Sequence, residues 1–330
     1  MTQPNKPAVS VIMAAYNAAR FLDEAVLSIL QQTYRDFELL VMDDGSTDAS
    51  WKILQEYAEQ DQRVRIFQQA NSGLSNSLNR LISVAQGMLI ARMDADDVSL
   101  PTRLEEQFEY MQVHPEVGVL STGRLIIAPN ALAYRSICIP DEHQLIADFL
   151  ARGINPITHG AVMMRKSLLG SLNEPAYWVI ISEDLDLWHR LIDKTTFANL
   201  PKPLYHMRRY SGSITYRVGN SKRLINENLD AQKQQVSTST ETKLSELLRP
   251  ELQKDSGYEH FLNGRALFLH KQYVKALVTF MAACLGRKYL FKSLAFIGLS
   301  LLGPLGLFLY IKLRREQHEY ATYQCVDLPY

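Results

Sequence analysis

The chain has 330 residues, about two domains' worth of sequence and enough to enclose a large hydrophobic core. Its 35 lysines and arginines balance its 35 aspartates and glutamates, so no overall charge favours nucleic acid or another polyanion as a partner. The three cysteines are far apart, which is typical of a reducing compartment and excludes a zinc site built on cysteine spacing. Residues 1–7 lack the apolar core of a secretory signal, so we expect a cytoplasmic protein.

Predicted strands and helices alternate in the first hundred residues. Helices are predicted near 19–32, 49–60 and 74–86, and strands at 9–13, 37–42, 63–67 and 88–91. This alternation is typical of a parallel sheet that is covered by helices on both faces. We therefore predict an α/β fold with a Rossmann-like, mostly parallel central sheet and flanking helices.

Polar residues follow three of these strands at the point where each one ends. The first strand leads into Tyr16, the second into Asp43 and Asp44, and the apolar run 88–91 into an acidic segment. Open parallel sheets bind their ligands at the carboxyl ends of their strands. The alternative for Asp43 and Asp44 is an ordinary turn and cap before the helix predicted near Ala49.

The acidic segment holds three carboxylates in four residues, those of Asp94, Asp96 and Asp97. Carboxylates this close repel one another unless they share a cation, and ligand sets made only of oxygen favour Mg²⁺ or Mn²⁺. An acidic loop that caps the helix starting near Pro101 is the alternative, and the spacing alone does not decide between the two.

The second half of the chain is more mixed. Strands are predicted at 117–120 and 123–127, a helix at 183–193, and a helical pair within 258–283. The polar stretch 217–250 predicts a linker or exposed helices.

The segment 293–311 contains no charged residue and lies between Lys292 and Lys312. Its length just suffices for one membrane-spanning helix, but Gly303 and Pro304 near its middle weaken that interpretation. Basic residues at both ends favour a re-entrant or in-plane hairpin, peripherally attached to the cytoplasmic face of the membrane. A buried helical hairpin is the alternative.

Ordered sequence motifs lie at 9–17, 28–34, 37–48, 71–74, 85–87, 94–97, 155–160 and 182–188. An isolated Asp-x-Asp pattern is a weak signal, whereas an ordered set of this kind is a strong one. In these motifs the chain resembles the family 2 glycosyltransferases, which are inverting nucleotide-sugar enzymes with the GT-A fold, over about residues 8–215.

The resemblance implies a GT-A domain at 1–216, with a nucleotide-sugar half at about 8–100 and an acceptor half at about 101–216. The linker 217–250 and a C-terminal helical extension at 251–330, with its apolar hairpin 293–311, would follow.

The resemblance also implies a donor site that is formed by Ala14, Tyr16, Asp44, Asn79, Asp94 and Arg208. Tyr16 would stack on the base, Asp44 would accept its imide hydrogen, and Arg208 would pair with phosphate. Asp96 would hold Mn²⁺ or Mg²⁺, with Asp94 and Asp97 as possible further ligands. Many relatives carry a metal-binding histidine at the position of Tyr210, and His206 is a weak substitute.

For the acceptor side, the resemblance assigns Asp184 as the base that takes the proton of the attacking hydroxyl. Glu183 would bind a sugar hydroxyl or start the helix. His159 and Gly160 would approach the donor sugar or the acceptor, although His159 has a structural alternative. Trp188 would form the floor of the acceptor pocket or belong to the core.

These expectations amount to a metal-dependent inverting glycosyltransferase of polysaccharide or glycoconjugate synthesis. Its donor is expected to be a nucleotide sugar, with UDP-sugars favoured, and its acceptor a glycan or a lipid-linked precursor. The partners would include the cytoplasmic membrane surface and no nucleic acid. One alternative is a nucleotidyltransferase, which would carry a glycine-rich phosphate loop where this chain has Ala14 to Asn17. The other is a non-catalytic membrane-associated scaffold, which the intact Asp94, Asp96 and Asp184 disfavour.

Overall fold

The computed structural model of the protein describes residues 6–137, 139–178, 182–213, 216, 256–284, 289–307 and 310. The chain divides into two compact units, the first made of Met1–Arg124 and Ile139–His206 and the second of Leu125–Cys138 and Met207–Tyr330. The predicted linker 217–250 lies outside the described residues. The predicted domain boundary at residue 216 stays a prediction.

A parallel sheet forms the first half of the first unit. Its strands are β1 (Val9–Ala15), β2 (Phe37–Asp43), β3 (Val64–Gln68) and β4 (Leu89–Asp94), in the spatial order β3-β2-β1-β4. The helices between them are α1 (Leu22–Leu30), α2 (Ser50–Gln60) and α3 (Leu74–Val84). Every residue of β2 is buried, as expected for a strand covered on both faces. The predicted mostly parallel α/β architecture is confirmed.

The sheet continues through antiparallel strands. The remaining strands are β5 (Val98–Ser99), β6 (Val117–Ile127), β7 (Ala133–Ile137), β8 (Met163–Arg165) and β9 (Thr196–Arg208), and the order continues β4-β8-β6-β9-β5 with β7 paired to β6. The helices are α4 (Arg103–Val113), α5 (His143–Ala151), α6 (Lys166–Gly170) and α7 (Glu183–Leu191), with a 3-10 turn at His159–Ala161. The two strands predicted at 117–120 and 123–127 form one continuous strand, β6.

The core of the first unit lies between the sheet and α3, α5 and α7. Leu78 and Leu81 of α3 pack there because they recur at helical spacing on one face, and both are fully buried. Trp188 and Leu191 of α7 join the same cluster. Each fully buried leucine contributes roughly 1.5–3 kcal/mol, so this packing holds α7 firmly against the sheet.

The described C-terminal residues are helical, as predicted. They form α8 (Ser256–Leu269), α9 (Tyr273–Cys284) and α10 (Leu290–Leu301). Gly264 of α8 lets α9 approach closely, because a Cβ at this position would lie 2.8 Å from the ring of Phe280. Among the described residues, no helix has both the length and the apolar character needed to cross a membrane.

The apolar segment 293–311 is interrupted where the sequence predicts. Helix α10 ends at Leu301, and Gly303 has a left-handed backbone with a φ of 54°. Residues 308, 309 and 311 of this segment lie outside the described part of the chain.

Candidate functional site

The carboxyl ends of β1, β2 and β4 meet at one edge of the sheet. In the strand register, Ala15 pairs with Asp43, and Ala14 pairs with Asp94. The parallel arrangement therefore gathers the predicted polar residues at the edge where such sheets bind ligands. Ala14 is half-buried, and so is Tyr16, which follows β1 directly.

Asp94 is held in a fixed orientation by Arg92. The guanidinium reaches Asp94 through two contacts, from Nη2 to Oδ1 at 2.5 Å and from Nη1 to Oδ2 at 2.8 Å. Arg92 is buried, whereas the Asp94 side chain is 32% exposed. A bidentate pair of this kind fixes both the charge and the direction of the carboxylate at the sheet edge.

Gly160 brings its backbone against this carboxylate. A Cβ at Gly160 would lie 2.6 Å from Oδ2 of Asp94 and closer still to the hydroxyl of Tyr205. The Tyr205 hydroxyl also lies 3.4 Å from Oδ2 of Asp94 and is hydrogen-bonded to Asp97. Only glycine permits this approach of the 159–161 turn to β4.

Arg103 underlies this edge, and the sequence analysis did not identify it. Its Nε donates to Oγ of Ser99 at 2.6 Å, and its Nη1 donates to the carbonyl oxygen of Arg92 at 3.0 Å. Burial lowers the pKa of Arg103 to about 10, so it stays positively charged at neutral pH. The available sequence signal was a basic residue in the first turn of a helix, where the helix dipole disfavours it.

Two carboxylates of the acidic segment, those of Asp96 and Asp97, differ in burial. Asp97 is 3% exposed and bonds to Tyr205, whereas Asp96 is half-buried. No three His, Cys, Asp or Glu side chains of the described residues form a group that holds a metal by itself. A cation held by one of these carboxylates would need its remaining ligands from water or a bound diphosphate.

Asp44 caps helix α3. Its Oδ1 accepts from the backbone nitrogen of Ser72 at 2.9 Å, and its Oδ2 accepts from that of Gly73 at 2.9 Å. Ser72 and Gly73 directly precede α3, so the carboxylate satisfies amides that a helix start leaves unpaired. The sequence analysis considered a cap before α2, where Asp48 instead bonds the nitrogen of Ser50 at 2.9 Å.

Asn79 holds the backbone of Tyr177. Its Nδ2 donates to the Tyr177 carbonyl at 2.7 Å, and its Oδ1 accepts from the Tyr177 nitrogen at 3.0 Å. The Tyr177 hydroxyl lies 3.0 Å from Nε2 of His159. Tyr177, which the sequence analysis missed, thus joins α3 to the histidine, and no sequence motif marked it.

His159 lies between Tyr177 and the acidic pair on α7. Its Nδ1 is 3.6 Å from Oε1 of Glu183, and its ring meets the edge of Trp188 with centroids 5.9 Å apart. Burial, assisted by the positive charge of Arg92, lowers the pKa of His159 well below its usual value. The imidazole is therefore neutral at physiological pH.

Glu183 and Asp184 form a largely buried pair at the start of α7, and the Glu183 side chain is 14% exposed. Burial and the neighbouring Asp184 charge raise the pKa of Glu183 to about 8. Burial also raises the pKa of Asp184, whose Oδ2 accepts a hydrogen bond from Nδ2 of Asn155 at 2.6 Å. Glu183 therefore keeps its proton at neutral pH.

The backbone before this pair is unusual. Ser182 has a left-handed conformation with a φ of 57°, which costs a residue with a side chain about 1–3 kcal/mol. This conformation directs the first turn of α7 and the two carboxyls that it carries.

Two further residues of α7 have clear structural partners. Asp186 pairs with Arg190 at 2.7 Å, so the helix separates its carboxylate from that of Asp184. Trp188 is fully buried in the core, between His159 and Phe197, which favours the core alternative.

Arg208 belongs to the second unit, where it is 2% exposed and its Nη1 donates to the carbonyl of Pro129 at 3.1 Å. Tyr210 of the same unit packs its ring on Gly212.

Comparison with known proteins identifies the class. Residues 10–172 match the family described as Glycosyl transferase family 2. The chain is 36% identical over 227 residues to EpsE of Bacillus subtilis (strain 168), which is named as a glycosyltransferase, covering 65% of this chain and 80% of that protein. It is 35% identical over 212 residues to the O-antigen biosynthesis glycosyltransferase WbnJ of Escherichia coli, covering 62% and 81%.

Solved structures show the same fold. S. aureus TarS 1-349 in complex with UDP-GlcNAc matches with a TM-score of 0.53 at 15% identity, covering 97% of this chain and 94% of that one. The protein belongs to glycosyltransferase family 2 and has a GT-A fold with a helical C-terminal region. It is therefore an enzyme of the glycosyltransferase class, as predicted.

Proposed function

We propose that the protein is a metal-dependent inverting glycosyltransferase that transfers a sugar from a nucleotide diphosphate sugar to a glycan or lipid-linked acceptor. The observation that carries this proposal is the 159–160 dipeptide. Gly160 contacts the Asp94 carboxylate at the sheet edge, and His159 contacts Glu183 of the buried pair. A donor site and a base are thereby joined through two adjacent residues.

Asp184 acts as the base. The acceptor oxygen forms a bond to C1 of the sugar as the bond from C1 to the diphosphate oxygen breaks, and Asp184 takes the acceptor proton. Attack from the face opposite the diphosphate inverts C1. A positioned base contributes about 10²–10⁴ in rate, and the hydrogen bond from Asn155 orients this one.

Glu183 keeps its proton and acts as a hydrogen-bond donor. A neutral carboxyl beside an ionised base avoids placing two negative charges in one buried site. The acid donates to a sugar hydroxyl, while neutral His159 and Tyr177 hold its position from the other side.

Asp96 would hold the divalent cation, Mn²⁺ or Mg²⁺. When bound, the metal neutralises charge that develops on the departing diphosphate. The burial of Asp97 and its bond to Tyr205 favour Asp96 over Asp97 as the ligand. Asp94, which is fixed by Arg92, presents its carboxylate to the ribose or to the metal's water shell.

The donor is a nucleotide sugar, and a UDP-sugar is favoured because neighbours of this fold were solved with UDP and UDP-GlcNAc. Tyr16 stacks on the base beside Ala14. Among the described residues, Oδ2 of Asp44 accepts one hydrogen bond, from Gly73, so it retains capacity for the imide hydrogen. Asn79 acts through Tyr177, because both ends of its amide are already engaged there.

The acceptor belongs to cell-surface polysaccharide synthesis. Relatives are named for the biosynthesis of O-antigen and of teichuronic acid, which supports this class of acceptor. The exposed tryptophan beside Tyr177 is Trp178, at 54% exposure, and it is better placed than buried Trp188 to stack on an acceptor sugar. Arg208 stays our proposed phosphate-binding residue. The proposed location of the protein is the cytoplasmic face of the membrane.

A screen of UDP-, GDP- and dTDP-sugars with and without Mn²⁺ tests the proposal. We expect one donor to raise the melting temperature only when metal is present. The purified protein should also hydrolyse that donor slowly and so release the nucleoside diphosphate. Asp184→Asn should keep the melting shift and lose the release. The absence of a metal-dependent shift with every donor would refute the proposal.

A further inference from the structure

The C-terminal helical region is strongly basic and contains no acid over a long stretch. No aspartate or glutamate occurs from His260 to Arg315, although the whole chain carries equal numbers of acidic and basic residues. Nine basic side chains lie in this stretch, those of Arg265, Lys271, Lys275, Arg287, Lys288, Lys292, Lys312, Arg314 and Arg315. A segment of this charge attracts anionic partners and repels its own copies.

Helix α9 presents an apolar row to solvent. Val274, Val278 and Met281 are 76%, 63% and 58% exposed, and their spacing places them on one side of the helix. The other side carries Ala276 and Phe280, which are fully buried in the core of the second unit. The outer row therefore contributes nothing to the packing of this core.

Helix α10 has the same division into inner and outer sides. Ser293 is fully buried, and Phe296 stacks on Phe280 of α9 with ring centroids 5.0 Å apart. On the outer side, Leu294 and Leu301 are 49% and 70% exposed, and Leu305 beyond the end of the helix is 57% exposed.

The outer sides of α9 and α10 belong to one helical hairpin. Tyr273 at the start of α9 lies 3.9 Å from the Cβ position of Gly303, just beyond the end of α10, so the helices run antiparallel. We call the exposed set Val274, Val278, Met281, Leu294, Leu301 and Leu305 the hairpin face. Rows of exposed apolar residues on two neighbouring helices mark an interaction site in a globular protein.

We propose that the hairpin face binds the surface of an anionic lipid bilayer, with α9 and α10 lying in the plane of the membrane. Apolar side chains enter the boundary between headgroups and acyl chains, while exposed Lys275 and Lys292 meet the lipid phosphates. A second copy of this chain is a poor occupant, because the two basic surfaces would repel each other. This inference rests on the membrane location in the proposed function, and it specifies the surface that contacts the membrane.

Of the two membrane arrangements that the sequence predicts for this segment, the proposal adopts the in-plane one and not the re-entrant one. Ser293 and Phe296 use the inner side of α10 to pack on α9, so this helix stays with the second unit. The lipid leaflet then contacts only the outer side of the helices. Membrane binding therefore does not require any helix to separate from the second unit.

Vesicle flotation of the full chain tests the proposal. We expect binding to vesicles of phosphatidylcholine with phosphatidylglycerol and much weaker binding to phosphatidylcholine alone. Val278→Glu with Met281→Glu should reduce binding about tenfold or more, because two charges would enter the apolar boundary. Lys275→Gln with Lys292→Gln should reduce only the preference for the anionic lipid.

The matched control is Met88→Glu with Val113→Glu, which alters two comparably exposed apolar residues of the first unit. It should bind vesicles like the wild type. Circular dichroism of each variant must match the wild type before the comparison is made.

Catalysis and attachment are separable in this design. Asp184→Asn should bind vesicles fully, and the Val278→Glu, Met281→Glu variant should keep its donor-induced melting shift. Failure of the proposed function would remove that shift and leave vesicle binding intact. Equal vesicle binding by the hairpin variant, no binding by the wild type, or a lipid-free dimer that the hairpin variant abolishes would each overturn the inference.

Discussion

The Glu183 and Asp184 carboxyls are adjacent in the chain and buried together, yet the chemistry requires different protonation states of them. Glu183 lies beside neutral His159, while Asp184 accepts a hydrogen bond from Asn155. A hydrogen bond of this kind favours the ionised form, which supports our proposal of Asp184 as the base.

We predict that Asp184→Asn lowers glycosyl transfer at least about a hundredfold with donor affinity nearly unchanged, because the amide keeps the shape but takes no proton. Steady-state kinetics with the cognate donor measure this effect. Asp186→Asn is the matched control, since its carboxylate pairs with Arg190 and should leave transfer near the wild-type rate. A control as inactive as Asp184→Asn would move the base to Asp186.

The raised pKa of Glu183 predicts a pH-dependent stability. Between its usual value of 4.5 and about 8, folded Glu183 holds a proton that the unfolded chain has released. The free energy of unfolding therefore falls as pH rises through this window. In urea unfolding across these pH values, Glu183→Gln should flatten the fall, whereas Asp184→Asn should keep part of it. Parallel curves for Glu183→Gln and the wild type would contradict the assigned protonation.

Metal binding depends on Asp96 in our proposal. Asp96→Ala should abolish the Mn²⁺-dependent melting shift with the cognate nucleoside diphosphate and leave the apo melting temperature close to the wild-type value. Asp148→Ala, at an exposed position of helix α5, is the control and should retain the shift. If Asp96→Ala retains it too, the ligand lies elsewhere in the acidic segment.

At the scale of elements, the 159–161 turn and β4 share one narrow contact. Gly160→Ala would push a methyl group against Tyr205 and Asp94, and overpacking of this kind costs about 1–3 kcal/mol. We expect a lower melting temperature and weaker donor binding. Gly170→Ala is the control, because nothing lies within 4 Å of its Cβ position and its backbone is not left-handed. Equal effects of the two substitutions would show that the contact is unimportant.

Hydrophobic periodicity predicted the strands and helices well, because the buried residues of each element recur at the structural repeat of that element. Parallel strands such as β2 are apolar throughout, and α3 repeats its leucines at helical spacing. Motif resemblance singled out Asp94 and Gly160, and these two residues lie against each other in the structure. The partnerships of Arg103 and Tyr177 stayed hidden, because they link residues as far apart as Asn79 and Tyr177, and no local pattern encodes such a contact.

At the scale of the whole molecule, the division into units differs from the predicted domain. The second unit includes 125–138, and Ile126 and Tyr134 from this segment pack with Leu262 and Ala266 of α8. The boundary at residue 216 would separate these partners.

A chain that ends at residue 216 should therefore be less stable than the full chain. Removal of α8 to α10 would expose Ile126 and Tyr134 to water, at roughly 1.5–3 kcal/mol for each large apolar side chain. Thermal melting of the two chains measures the difference. A truncated chain with an unchanged melting temperature and no aggregation would support the predicted domain 1–216 instead.

Helix α3 has a role that extends beyond packing. Asp44 caps its start, and Asn79 in its middle grips Tyr177, which contacts His159. Its 11 residues span about 16 Å and behave as a short rigid rod. In our proposal, recognition of the base at the start of α3 and alignment of the Glu183 and Asp184 pair from its middle therefore depend on the same helix.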